Sequence, residues 1–459
     1  MHKRFYKTLW LLAVSVLPVS LAQGMTLTES VQYALAHNPE LHALQAQVEA
    51  AQQQHEAAVA ASRPVVSLSH TARVSDNPLD AFADKLFTRQ VTTADFAPAL
   101  LNDPDTTSLY LTSLRLHWPL YSGGKIEAQQ QQSDIGYRQS RLLYQRAQQS
   151  IAFRTMQAYL YVIASKRAID IAGQAVSAAR KHADTTAKLA AEGRIVESDK
   201  LAAEVNLAAV EAQHAQALTR HQHALTQLRQ VLGLPAQAAI AVGDDWPAHR
   251  LLQPAAAEDV EALMQQALKQ RLDLQAAQQA IAAATAGIDV ASADKKPVVS
   301  LIASSDWYDD SPGFDSQSTS LMAVASIKLY DGASDGKVGA ARAQHKQQQW
   351  REQALQQAVM AEVKQALDDW REAEARLQIA RDNVTRAARA VRLVQKRYGQ
   401  GRTILLDLLQ SERMLTESRI EKLTAELNLR TSRLALVHAT GALDTGDFDS
   451  NFDSNMEAP

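Results

Sequence analysis

Residues Ala34–Leu68 read ALAHNPELHALQAQVEAAQQQHEAAVAASRPVVSL, and residues Ala267–Leu301 read ALKQRLDLQAAQQAIAAATAGIDVASADKKPVVSL. The two align without a gap at an offset of 233, which sets Pro64 on Pro297 and the tetrapeptide PVVS on itself. A second match pairs Leu120-Tyr121-Ser122-Gly123 with Leu329-Tyr330-Asp331-Gly332. A third pairs Gly193, Asp199 and Gly233 with Gly401, Asp407 and Gly441, all at an offset of 208. A period this long is no solenoid repeat. It marks two copies of one domain-sized unit.

Each copy carries the same order of parts. A helix of about 35 residues (Thr28 to Ser62; Asp259 to Lys295) runs into Pro64 or Pro297, which stops it. Two segments rich in β-branched and aromatic residues follow: Val65 to Val74 with Leu109 to Trp118, and Val298 to Tyr308 with Ser320 to Leu329. After a Gly-containing turn comes a proline-free helical stretch, Lys125 to Glu192 or Lys337 to Gln400. At 1.5 Å per residue such a helix spans roughly 100 Å. A turn at Gly193 or Gly401 then reverses the chain into a helix ending near Gly233 or Gly441. Heptads tie the long helices to neighbours: Ile169, Val176, Ala183 and Ala190 in copy one, Val384, Val391 and Tyr398 in copy two. The two ladders coincide at the 208 offset.

The resulting expectation is a mainly α chain with a small β part and five segments. Residues 1–22 are a signal peptide, 23–233 the first repeat, 234–257 a linker, 258–441 the second repeat, and 442–459 an acidic tail unlikely to pack. The leader reading rests on Lys3, Arg4 and Lys7 ahead of the apolar run Leu9 to Val19, with Ser20-Leu21-Ala22 as the cleavage signal. An uncleaved N-terminal anchor is the alternative, but the run is shorter than the roughly 20 residues a membrane helix needs.

Composition removes several functions. Over 459 residues there is no cysteine, which excludes disulfides, thiolate metal sites, cysteine nucleophiles and a lipid-modified N-terminal Cys. Lys+Arg 47 against Asp+Glu 50 gives −3, not the basic footprint of a nucleic-acid binder. Cleavage after Ala22 removes three basic side chains and no acid, so the mature charge becomes −6. No nucleotide loop, nucleophile elbow or HExxH motif occurs, so no catalytic residue, cofactor or metal is assigned. His214, His221 and His223 lie on a helix. His221 and His223 are two apart and point to different faces, which argues against a metal site.

Four strands of about ten residues have the length of tilted transmembrane β-strands, yet even small bacterial barrels have about eight. If the strands enter lipid, the chain must oligomerise, and a trimer supplies about 12. Aromatics at the strand ends (Tyr110, Trp118, Tyr121, Trp307, Tyr308, Tyr330) favour a membrane interface over a small soluble sheet packed on helices. A periplasmic coiled-coil adaptor or scaffold shares the long helices but needs no duplicated strand pair. An exported enzyme has no site to point to.

These features resemble the TolC-like outer-membrane efflux protein family of Gram-negative bacteria. The resemblance covers nearly the whole mature chain. It rests on the duplicated layout, on Trp118-Pro-Leu-Tyr-Ser-Gly-Gly124, on Arg397-Tyr398-x-x-Gly401 followed by Leu405-Leu406-Asp407-Leu408-Leu409, and on Asn77-Pro78-Leu79-Asp80-Ala81-Phe82. It implies a homotrimer with a 12-stranded outer-membrane barrel joined to a periplasmic helical barrel. Such a trimer contacts outer-membrane lipid, and a periplasmic adaptor and an inner-membrane transporter dock on it. The duct then serves efflux or type I secretion by passive conduction. The resemblance also implies a gate at the periplasmic tip, built from Tyr398, Asp199 and Asp407. The family's gate arginine position holds Thr403 here, with Arg402 one residue earlier, and a second acidic position holds Gln410. On this basis Tyr398 is expected to donate a hydrogen bond to Asp199, and Asp407 to form a negative ring in the lumen. The turns Gly193-Arg194 and Gly401-Arg402 are the expected adaptor-docking tip.

Overall fold

The computed structural model describes residues 24–243, 245, 246 and 259–444. The signal peptide, most of the second half of the linker, and the tail beyond residue 444 lie outside the described residues. The elements run α1 (Leu27–His37), α2 (Pro39–Ala60), β1 (Val65–Ser75), α3 (Pro78–Phe87), α4 (Pro98–Asn102), β2 (Thr107–Tyr121), α5 (Lys125–Ala191) and α6 (Glu197–Leu232). Then follow α7 (Val260–Gln270), α8 (Leu272–Ala293), β3 (Val298–Asp309), β4 (Ser316–Ser326), α9 (Gly332–Gly399) and α10 (Leu405–Ala439). Long helices and one small antiparallel sheet make up the chain.

The first helix of each copy is two helices. In copy one the break falls at Asn38, because the residue before a proline is pushed out of the α region. Asn38 sits at φ −70°, ψ 124°. Its side chain satisfies the ends left open: Oδ1 accepts from the Glu40 N–H at 2.9 Å and Nδ2 donates to the Val231 carbonyl at 2.7 Å. The aligned position in copy two is Arg271, also extended at φ −67°, ψ 122°, without any proline after it. There the guanidinium is buried and grips Asp273 at 2.7 Å.

Two compact units emerge, and each takes pieces of both copies. One comprises residues 1–42, 147–267 and 361–459; the other comprises 43–146 and 268–360. The first holds the long-helix interior. Ile151, Met156, Leu160 and Ile163 of α5 are fully buried there, as are Leu228 and Leu232 of α6 and Leu434 and Leu436 of α10. The start of the chain is pinned beside α5: the Met25 N–H donates to the Ala241 carbonyl at 2.9 Å, and the buried Tyr159 hydroxyl donates to the Met25 carbonyl. Trp246 of the linker lies under the guanidiniums of Arg167 and Arg430, 5.0 and 4.4 Å from the ring centre, and donates to Glu426 at 3.1 Å.

The second unit holds the sheet, ordered β1-β2-β3-β4 and antiparallel throughout. The segment between β1 and β2 is partly helical. Asn77 caps α3 by accepting from the Leu79 N–H at 2.9 Å, with Pro78 in the first turn. Asp80 and Asp84 of α3 both take the Arg73 guanidinium of β1. Among the described residues no helix is long and apolar enough to cross a membrane.

Candidate functional site

The two hairpin turns, α5 to α6 and α9 to α10, share one backbone solution. Gly193 and Gly401 take φ +70° and +69°, a conformation that costs an L side chain about 1 kcal/mol. The Gly193 N–H donates to the Ala190 carbonyl and the Arg194 N–H to the Leu189 carbonyl, both at 2.9 Å. Gly401 and Arg402 repeat the pattern on Tyr398 and Arg397, both again at 2.9 Å. These paired bonds satisfy the open carbonyls of the helix end and turn the chain sharply. Val196 and Ile404, both exposed, then begin the returning helices without a side-chain cap.

Side chains distinguish the two turns. Tyr398 packs, half-buried, against a cluster of Ala183 (α5), Ala203 (α6), Leu405 and Leu409 (α10), with Leu207 beside it. Burial, and then the Asp199 charge, push its phenol above the ordinary tyrosine value, so the hydroxyl stays protonated. Asp199 is near enough to exert that field, but the chain makes no Tyr398–Asp199 hydrogen bond among the described residues. The ring acts here through packing. Asp407 is exposed and accepts from the Thr403 hydroxyl. Thr403 therefore occupies the carboxylate from the position where the resemblance places an arginine. Arg402 is exposed and forms no ion pair among the described residues, while Arg194 reaches Glu192 at 3.2 Å.

One polar junction lies further along the hairpins and has no counterpart in the sequence reading. Glu412 of α10 accepts from Gln395 of α9 at 2.7 Å and lies 3.7 Å from His182 of α5. The His182 contact and the Gln395 bond hold its carboxyl below the ordinary glutamate value, against the opposing effect of burial. The three residues join three helices. Beside this junction an apolar groove of about 700 Å³, lined by Ala179, Leu201, Val205 and Leu406 among others, runs between α6 and α10 over α5. The histidines of α6 stay structural in character: His221 Nδ1 is 2.9 Å from Ser165 Oγ, and burial beside Lys166 lowers its pKa. Among the described residues no three His, Asp or Glu side chains converge as a metal site requires.

The outer membrane efflux protein family matches residues 30–234 and 263–442, one segment for each copy of the duplication. The chain belongs to the outer membrane efflux protein family. Membership makes it a component of an outer-membrane efflux and secretion channel, located in the outer membrane. A curated relative, Protein CyaE of Bordetella pertussis, is 27% identical over 348 residues, covering 74% of this chain and 72% of that protein. A crystal structure of a membrane protein from Pseudomonas aeruginosa superimposes with a TM-score of 0.78 at 20% identity, covering 90% of this chain and 92% of that one. The Campylobacter jejuni CmeC outer membrane channel gives 0.78 at 16% identity, covering 93% and 90%. These structures share the efflux-protein fold, and the family and its structural neighbours are passive channels.

Proposed function

We propose that three copies of this chain form the outer-membrane duct of a tripartite efflux or type I secretion assembly. The observation that carries the reading is the four-stranded sheet with two free edges, β1 and β4, in a member of this family. Four strands cannot close a barrel, whereas three copies make one of about 12. The long helices then line a periplasmic tunnel, and substrates handed over by an inner-membrane transporter and a periplasmic adaptor pass through without chemistry. The gate is the seam filled by Tyr398, with Asp199 beside it and the Asp407 carboxylates facing the lumen near Arg402. The adaptor docks on the turns at Gly193-Arg194 and Gly401-Arg402, whose arginines are exposed.

Outer-membrane fractions should yield a heat-modifiable species of three times the monomer mass. Single cysteines replacing Arg194 or Arg402, in a chain that has no other cysteine, should crosslink to the cognate adaptor. A monomer in both membranes and detergent refutes the assembly. Crosslinks confined to the strand end refute the docking tip.

A further inference from the structure

The two faces of the sheet differ in chemistry. Successive residues of a strand point to opposite faces, and paired residues share one. One row across the sheet reads Val66, Leu116, Ala303 and Leu321; a row of the other face reads Ser69, Ser113, Asp306 and Ser318. In an outer-membrane barrel the apolar face meets lipid and the polar face lines the lumen.

The segment between β1 and β2 folds onto the polar face. Arg73 of β1 binds Asp80 of α3 at 2.8 Å and also binds Asp84. Ser75 donates to Asp80 at 2.9 Å, and Thr107 of β2 donates to Asp84 at 3.0 Å. Further across the sheet, Phe87 stacks on Tyr308 of β3 with 4.7 Å between ring centres, and the Ser316 hydroxyl donates to the Thr88 carbonyl at 2.9 Å. Arg73 and Ser75 share the face of Ser69. Thr107 pairs with Ser75, and Tyr308 pairs with Leu111, which faces Thr71, so these side chains lie on that face too. Ser316 joins them through its pairing with Tyr308. All sit at the strand ends opposite those that join α2, α5, α8 and α9. With the helices in the periplasm, these ends face outward.

The polarity of α3 is inverted. Its charged side lies on the sheet, where Asp84 and Ala81 are buried. Leu79 and Leu86 are seven residues apart, hence on one side of the helix, and are 77% and 53% exposed. Phe96, edge-on to Phe82 at 5.6 Å, adds a ring that is 60% exposed. A helix that buries its acids and bares its leucines has its apolar partner elsewhere.

We infer that the α3 segments of three copies meet inside the outer mouth of the duct through Leu79 and Leu86 and form an apolar constriction there. The inference rests on the assembly proposed above. Twelve strands about 4.8 Å apart and tilted about 40° close at a radius of roughly 12 Å. A helix with its side chains is about 10–12 Å across. Three helices laid on the inner wall therefore reach the axis, and the bare leucines of each copy face those of the other two. The ion pairs of Arg73 with Asp80 and Asp84 hold each helix to the wall. A narrow apolar neck resists hydrated ions, because water leaves it, and admits apolar solutes. The duct then selects at its outer end as well as at its hairpin turns.

The chain has no cysteine, so single introduced thiols report on this mouth alone. Leu79→Cys or Leu86→Cys, oxidised with copper phenanthroline in outer-membrane fractions, should give disulfide-linked pairs of chains in at least one of the two variants. Val74→Cys, near the same strand end on the lipid face, should give none. In planar bilayers, Leu79→Asn with Leu86→Asn should raise ionic conductance roughly threefold. That comparison is made in the Tyr398→Ala chain, so that the hairpin seam does not limit the current. An oligomer in which neither cysteine forms a disulfide overturns the meeting of the segments. Disulfides with unchanged conductance in the asparagine variant overturn the apolar constriction while leaving the assembly standing. A monomer in both membranes and detergent overturns the assembly and this inference with it.

Discussion

Hairpin α5–α6 closes its long helix on Leu189-Ala190-Ala191, and hairpin α9–α10 closes its own on Arg397-Tyr398-Gly399. The backbones that follow are the same, with matching glycine φ values and matching hydrogen bonds. The side chains are not. Where the first hairpin carries the methyl of Ala190, the second carries the ring of Tyr398, and where the first has Ile195, the second has Thr403 bonded to Asp407. Duplication preserved the turn and let one copy acquire the bulky seam residue and the tethered acid. Identical turns make the two tips equivalent as supports; different side chains make them unequal in what they pack and tether.

Removing the ring tests that asymmetry most severely. Tyr398→Ala leaves Ala203, Leu405 and Leu409 facing a void, and a half-buried ring lost from such a site costs about 1–3 kcal/mol. Tm should fall and single-channel conductance in planar bilayers should rise severalfold. Tyr398→Phe keeps the packing and should stay close to the parent in both. If Phe behaves as Ala does, the hydroxyl matters, and a Tyr398–Asp199 hydrogen bond forms in the assembled channel that the single chain lacks. Ala190→Tyr in the other hairpin should not reproduce the gate.

The next effect concerns the junction that ties the hairpins together. Glu412 titrates below its ordinary value, held there by His182 and Gln395. A carboxyl with a depressed native pKa contributes stability that is present above the unfolded value and lost as pH falls through the native one. Glu412→Gln should therefore lower stability by about 1 kcal/mol near neutrality, by the worth of one half-buried charge-assisted bond. The difference between variant and parent should vanish below the carboxylate range. A difference that persists in acid would show that the side chain acts by packing alone.

Much of this fold is legible in the chain because duplication writes it twice. The helix ends at Gly193 and Gly401, the stops at Pro64 and Pro297, and the strand starts at Val65 and Val298 are local signals that the repeat confirms against itself. The break at Asn38 is legible through Pro39. The break at Arg271 is not, since the aligned position lost the proline and holds its extended backbone through a buried ion pair with Asp273. Glu412 escaped the sequence reading for a related reason. An acid on a helix flanked by Arg413 looks solvated, and only packing against His182 and Gln395 sets it apart. The in-chain sheet register follows from the repeat, as the agreement of β1–β2 with β3–β4 shows.

The smallest effect separates the two acids that duplication placed six residues beyond each glycine. Asp199 is half-buried near Tyr398, whereas Asp407 is exposed and bonded to Thr403. In the trimer proposed above, a ring of exposed Asp407 carboxylates would favour cations entering the lumen, but each charge acts through water and is screened within about 8–10 Å at physiological salt. Asp407→Asn should therefore weaken block by divalent cations several-fold while leaving unblocked conductance nearly unchanged. Thr403→Val removes the tether and keeps the charge, so block should persist. Asp199→Asn should leave divalent block alone, because that carboxylate is half-buried and lies near Tyr398. Equal loss of block from both aspartate variants would mean that the two hairpins present their acids to the lumen alike. The asymmetry between the tips would then reside in Tyr398 and nowhere else.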